Sequence, residues 1–219
     1  MFLGHYGVAF AAKRAAPENS LGVLVLAAQW LDGIWPIFLL LGWERVGIVP
    51  GITRMVPMAF ESYPWSHSLL MTAVWSVVIG GLVTWRTGFR AGTIAGLCVA
   101  SHWFLDVLMH RPDLPLYPGG AARIGLGLWN SPAATWILEA VFFVGGILLY
   151  LRTTTAADRV GRWSFWAFVA FLAVIEVANF TGPPPPSVTV MAWVTLSLWV
   201  TIPWAAWFDR HRRVRLGTG

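Results

Sequence analysis

Ser101-His102-Trp103-Phe104-Leu105-Asp106-Val107-Leu108-Met109-His110 closes an apolar run that begins at Ala91, and the reading of that run decides the architecture. At 3.6 residues per turn, His102, Asp106 and His110 stand at i, i+4 and i+8 and share one helical face. The run has the length that crosses a lipid hydrocarbon core, about 20 residues. Two imidazoles and a carboxylate in such a setting are costly to bury unless they are paired or ligating. In a row, they suit a borderline divalent metal such as zinc.

The rest of the chain agrees with a span at that place. Of 219 residues, 57% are hydrophobic and only 11% charged, where soluble domains carry about 25% charged residues. The composition is that of an integral membrane protein. Six apolar segments are long enough to cross: Ser20–Trp43, His67–Trp85, Ala91–His110, Pro132–Leu151, Trp163–Phe180 and Val188–Phe208. The expectation is an all-α, polytopic bundle, residues 1–219 forming one integral membrane domain. A short N-terminal helix from Leu3 to Lys13 is either re-entrant, lifting His5 about 12 Å above Lys13, or interfacial.

The net charge of +5 is read as topology, with no nucleic-acid surface implied. With both termini cytoplasmic, eleven basic residues lie inside, including Lys13, Arg86, Arg152 and Arg213, against Arg45, Arg54, Arg111 and Arg123 outside. The two longest loops, 44–66 and 111–131, then face outward. Gly182 followed by Pro183 to Pro186 makes a stiff outer turn. Gly92 and Gly96 let the third span approach a neighbour closely, and Pro36 is expected to kink the first span just above Asp32. The numerous Trp suit interfacial belts, and His211 in its basic tail suits a headgroup anchor. Cys98 has no partner for an internal disulfide.

Polar residues inside the apolar spans carry the functional signal. Counted at 1.5 Å per residue, Asp32 lies about 18 Å, His102 about 16 Å and Glu139 about 20 Å from the inner face. Asp106 follows one turn above His102, with His67 and His110 near the outer boundary. Acids and imidazoles from four spans thus share the outer half of the bilayer. Each also has a structural reading: a hydrogen-bonded pair for His102 and Asp106, a salt bridge for Asp32, a cap for His67, a boundary contact for His110 and a protonated cross-helix acid for Glu139. No Lys or Arg sits at the depth of Asp32 to serve as its partner. Glu176, beside Asn179, reads as a structural hydrogen-bond partner, and Cys98 as a small buried hydrophobe.

At these residues the chain resembles a family of uncharacterised bacterial inner-membrane proteins described as membrane-bound metal-dependent hydrolases. The resemblance runs through His5-Tyr6-Gly7-Val8-Ala9-Phe10-Ala11-Ala12-Lys13-Arg14, Gln29-Trp30-Leu31-Asp32, Tyr63-Pro64-Trp65-Ser66-His67-Ser68, Ser101 to Asp106, His110-Arg111-Pro112-Asp113-Leu114-Pro115 and Gly127-Leu128-Trp129-Asn130-Ser131. It covers roughly the first two-thirds of the chain. More distantly, the order of these residues is similar to that of the zinc-dependent phospholipases C and related single-strand nucleases. Carried over, that likeness implies one metal on Asp32, His67, His102 and Asp106. His5 would share Asp106 with a second metal, and His110 with Glu139 would correspond to a third. Two features depart from it: Thr135 stands where the late motif has His, and four residues precede His5.

The expected function is therefore metal-dependent hydrolysis, with Zn²⁺ the expected cofactor. The substrate would be a phosphoester of a lipid or lipid-linked molecule at the outer leaflet of the bacterial inner membrane. Asp32 or Glu139 is the expected base and Arg111 the cation for a headgroup phosphate; membrane lipids are the expected partners. A proton- or ion-coupled transporter would also place acids and His at midplane, although no inverted repeat is visible. An accessory subunit of a membrane complex would use the Trp-rich exterior as its interface.

Overall fold

The computed structural model describes residues 1–215. Its helices are α1 (Leu3–Ala15), α2 (Leu21–Ala28), α3 (Trp30–Leu40), the single turn α4 (Pro64–His67), α5 (Leu69–Thr87), α6 (Phe89–Met109), α7 (Pro132–Thr153), α8 (Arg159–Thr181), α9 (Val188–Ser197) and α10 (Thr201–Arg210). Three short antiparallel ribbons complete it: β1 (Arg45–Ile48) with β2 (Met58–Ser62), β3 (Leu114–Pro115) with β4 (Arg123–Ile124), and β5 (Thr154–Ala156) with β6 (Arg212–Val214). The chain is an all-α multi-pass membrane bundle. Four single helices, α5 to α8, are long and apolar enough to cross, as is the stretch Val188–Arg210, in which α9 and α10 join through a 3-10 turn at Leu198–Val200. Helices α2 and α3 are apolar and long enough only taken together, as a bent pair with the form of a broken span or a re-entrant loop.

The break differs from expectation. The chain bends by 54° between α2 and α3 at Gln29, and α3 runs on through Pro36. At the bend the Ala28 carbonyl accepts a hydrogen bond from His102 Nδ1 at 2.7 Å. A side chain inserted at a helix backbone is a recognised cause of kinking. The turn sends Asp32 off along a new axis, beside His67 and His102.

Helix α1 does not lie along a surface. His5 is buried, and Leu3, Tyr6, Ala9 and Phe10 are buried within a cluster that includes Leu24, Phe143, Phe165 and Phe168. Gly7 and Gly146 make this possible: a Cβ on either would collide with backbone of the opposite helix, Phe142 for Gly7 and Gly7 itself for Gly146. With two hydrogens facing each other, α1 and α7 pack backbone to backbone. The same device joins α6 to α5, where Gly92 and Gly96 meet Gly80 and the Ser76 carbonyl. The small pair read from the sequence thus has its partner.

A helix that begins inside a bundle leaves its first N–H groups without partners. Glu139 of α7 supplies them. Its two oxygens accept from Phe2 N–H at 2.9 Å and Gly4 N–H at 2.7 Å, placing negative charge at the positive end of the α1 dipole. At the other end, Lys13 is buried and bonded to Asp209.

Candidate metal centre

Four elements converge above the bend: α1 brings His5, α3 Asp32, α4 His67, and α6 both His102 and Asp106. His102 and Asp106, one turn apart, face the same point, with Nε2 and Oδ2 3.3 Å apart. Asp32 Oδ1 lies 3.7 Å from His102 Nε2 and 3.4 Å from His67 Nε2. Asp106 Oδ2 lies 3.9 Å from His67 Nε2. A tetrahedral ion with bonds of about 2.0–2.1 Å would separate its donors by about 3.3–3.4 Å. These four of the tetrahedron's six edges fall at or slightly above that length.

Second contacts fix the direction of each imidazole lone pair. His102 Nδ1 must donate, because its partner is the Ala28 carbonyl, and Nε2, turned toward the two carboxylates, is the nitrogen left to ligate. His102 Nε2 is fully buried and makes no hydrogen bond. For His67 the chain of contacts is longer. Ser66 Oγ donates its one proton to Glu44 Oε2 at 2.6 Å and lies 2.7 Å from His67 Nδ1, so Nδ1 carries the proton of that second contact. Glu44 Oε1 is held by the backbone N–H groups of Trp65 and Ser66, both at 2.8 Å. Burial pushes the Glu44 carboxyl up, and these hydrogen bonds oppose it. Locked tautomers of this kind are how ligating histidines are oriented.

Asp106 is shared. Its Oδ1 receives the Met1 amine at 2.7 Å and lies 3.2 Å from His5 Nε2. The His5 ring stacks on His102 with centroids 3.6 Å apart and planes 7° from parallel. His5, His102 and Asp106 thus form a second group whose ligand atoms lie within 4.8 Å of one another, beside the first group of Asp32, His67 and His102.

The remaining expectations need correction. His110 and Glu139 do not come together as a ligand pair. His110 Nδ1 lies 3.0 Å from Asp113 Oδ1, with the Tyr63 hydroxyl 3.4 Å away, while both Glu139 oxygens cap α1. That engagement also removes Glu139 as a free base. Arg111 donates to Asp113 Oδ2 at 3.1 Å and takes no part in the cavity wall. The Glu176 side chain has no hydrogen bond among the described residues.

A cavity of about 790 Å³ leads to the cluster. Asp32, His67 and Asp106 reach it, with Arg54 from the loop between β1 and β2 at the wall. The Asp32 side chain is 33% exposed, against 3% for Asp106 and none for His102, so Asp32 is the carboxylate that faces incoming molecules. Sequence reasoning missed Glu44 and Arg54. Glu44 gives no signal, being an acid just beyond an apolar span, and Arg54 looked like any loop cation. Compared with protein-family models, curated proteins and solved structures, the chain shows no match.

Proposed function

We propose that this chain is a metal-dependent membrane hydrolase that cleaves a phosphoester of a lipid or lipid-linked molecule. The observation that carries the reading is the buried His102 Nε2, without a proton partner and aimed at two carboxylates. With both imidazoles neutral, as ligands must be, Asp32 and Asp106 carry two negative charges, of which the Met1 amine offsets one at Asp106, and a bound divalent cation would more than balance the other. Asp32, His67, His102 and Asp106 would hold the ion, and nitrogen with carboxylate oxygen in fourfold number favours Zn²⁺. A second ion would sit between His5 and Asp106. When bound, such an ion supplies Lewis-acid polarisation of a phosphoryl oxygen and an acidified water.

The chain's own groups do the rest. Asp32, open to the cavity, accepts the proton released from the attacking water. Arg54 makes no hydrogen bond or ion pair among the described residues and offers its guanidinium to a phosphate. Apolar side chains line much of the cavity and exclude bulk water. The distribution of basic residues argues for cytoplasmic termini, with the cavity in the outer half of a bacterial inner membrane.

Elemental analysis of purified protein tests the reading. At least one equivalent of metal is expected in the wild type, with loss in His102→Ala and in Asp106→Ala, and phospholipid hydrolysis falling with the metal. A folded wild type without stoichiometric metal, or full metal content in Asp106→Ala, overturns it.

A further inference from the structure

We infer that Glu176 is the recognition site for a primary ammonium group, so that the substrates of this chain are amine-bearing phosphoesters. The inference deepens the hydrolase reading and rests on it. Glu176 of α8 is 0% exposed, and neither carboxylate oxygen has a hydrogen-bond partner. It lies in the wall of the same cavity as Asp32 and His67.

The other buried acids show how unusual this is. Asp106 holds the Met1 amine, Glu139 caps α1, Glu44 takes Ser66, Asp113 takes Tyr63 and Arg111, and Asp209 takes Lys13. Among the described residues, Glu176 is the one buried carboxylate left open. An ionised carboxylate there needs donors, and a protonated one needs an acceptor; among the described residues neither comes within hydrogen-bonding distance, the Met1 amine and Glu139 in the same wall being engaged with Asp106 and with α1. A metal ion needs further ligands, and Glu176 belongs to neither of the ligand groups around His102. An ammonium group brings three N–H donors and a compensating charge in one body.

The rest of the wall agrees. Phe171 and Ile175 precede Glu176 on α8, and Met191 and Val194 stand on α9, all lining the cavity. Water is a poor competitor on such a surface, so a charge-assisted contact formed there is stronger than in solvent. The metal centre and Arg54 would take the phosphate, Glu176 the amine, and the apolar wall the hydrocarbon. A headgroup of the phosphoethanolamine type has that arrangement; a glycerol headgroup lacks the cation.

The test is binding by the purified, metal-containing protein in detergent, measured by calorimetry with non-hydrolysable phosphonate analogues. Short-chain lipids bearing ethanolamine, N-trimethylated ethanolamine or glycerol headgroups are compared, with water-soluble aminoethylphosphonate as a further arm. Wild type is expected to bind the ethanolamine lipid about tenfold or more tightly than the glycerol lipid, and trimethylation, which removes the N–H donors, abolishes the preference. Glu176→Gln brings the two affinities within about twofold. If the soluble phosphonate binds as well as the lipid, the free amine-phosphonate unit is the ligand; if only the lipid binds, the source is the membrane. Equal wild-type affinities, or a preference that survives both Glu176→Gln and trimethylation, overturn the inference. Metal analysis of the same samples separates the two readings. Metal without amine preference sinks this inference alone, and amine preference without metal sinks the hydrolase alone.

Discussion

Two buried polar clusters stand at opposite ends of α1, and they are built on opposite principles. Around Lys13 every group is answered. Its ammonium donates to Asp209 Oδ2 at 2.7 Å and to the Asn19 carbonyl at 2.6 Å, and Asp209 also accepts from Leu21 N–H at 2.9 Å and the Tyr150 hydroxyl at 2.6 Å. Asn19 in turn donates to the Ala91 carbonyl. Five helices or their connections are tied by one matched pair of charges. Around His102 the match is incomplete: the Met1 amine answers one oxygen of Asp106, while Asp32 Oδ1, Asp106 Oδ2 and the Nε2 atoms of His67 and His102 meet 3.3 to 3.9 Å apart with no hydrogen bond at His102 Nε2. A cluster that closes on itself serves stability. One that leaves its capacity pointing inward is, on the hydrolase reading, completed by a bound ion.

The contrast breaks most visibly at Asp209. Asp209→Ala leaves the Lys13 ammonium buried without its counter-charge, a change that costs about 3–5 kcal/mol. Thermal unfolding in detergent should show the largest loss of any single substitution proposed for this chain. The fraction that remains folded should keep its metal. If Asp209→Ala melts like wild type, the Lys13 cluster is not the structural lock described above.

The His102 cluster should respond in the opposite sense, to metal and not to charge deletion. On the hydrolase reading, a chelator lowers the melting temperature of wild type, and restored Zn²⁺ raises it again. An ion present at about 1,000 times its dissociation constant stabilises by about 4 kcal/mol. His102→Ala should be blind to both additions, since it removes the donor on which both ligand groups depend. A chelator effect of equal size in His102→Ala would place the ion elsewhere.

Why one cluster was legible in the sequence and the other was not follows from the same physics. Asp32, His102 and Asp106 stand out because acids and imidazoles are rare in apolar runs, and the i, i+4 spacing sets two of them on one face without tertiary knowledge. The spans are legible for the same reason, each being a self-contained stretch of about 20 residues. Lys13 and Asp209 lie at span ends, where charged residues are ordinarily solvated, and their pairing depends on α10 packing along α2, which brings Asp209 to the end of α1. The role of Glu139 required knowing that Gly7 meets Gly146, because only that contact brings the start of α1 to α7. The kink expected at Pro36 falls instead at Gln29, because local sequence cannot show His102 reaching the Ala28 carbonyl. Glu44 was the hardest, since its burial depends on α4 returning over the end of α3.

Glu44 also gives the finest test of the comparison, because it acts on the metal centre through a proton and touches no cavity ligand itself. As a carboxylate it takes the Ser66 proton, which obliges His67 to donate from Nδ1 and present a lone pair at Nε2. In Glu44→Gln the amide oxygen still accepts from Trp65 and Ser66 N–H, but the amide nitrogen now donates to Ser66 Oγ. The Ser66 proton turns to His67 Nδ1, and the ring carries its own proton on Nε2, where it cannot ligate. Outer-shell changes of this kind cost 10- to 100-fold in metal affinity, about 1.4–2.7 kcal/mol. Competitive titration with a zinc-sensitive dye should show that loss with little change in the melting temperature of the metal-free protein. Glu44→Asp, which keeps the carboxylate, should recover part of the affinity. Should Glu44→Gln bind metal as wild type does, His67 is oriented by packing alone and the proton chain through Ser66 has no role.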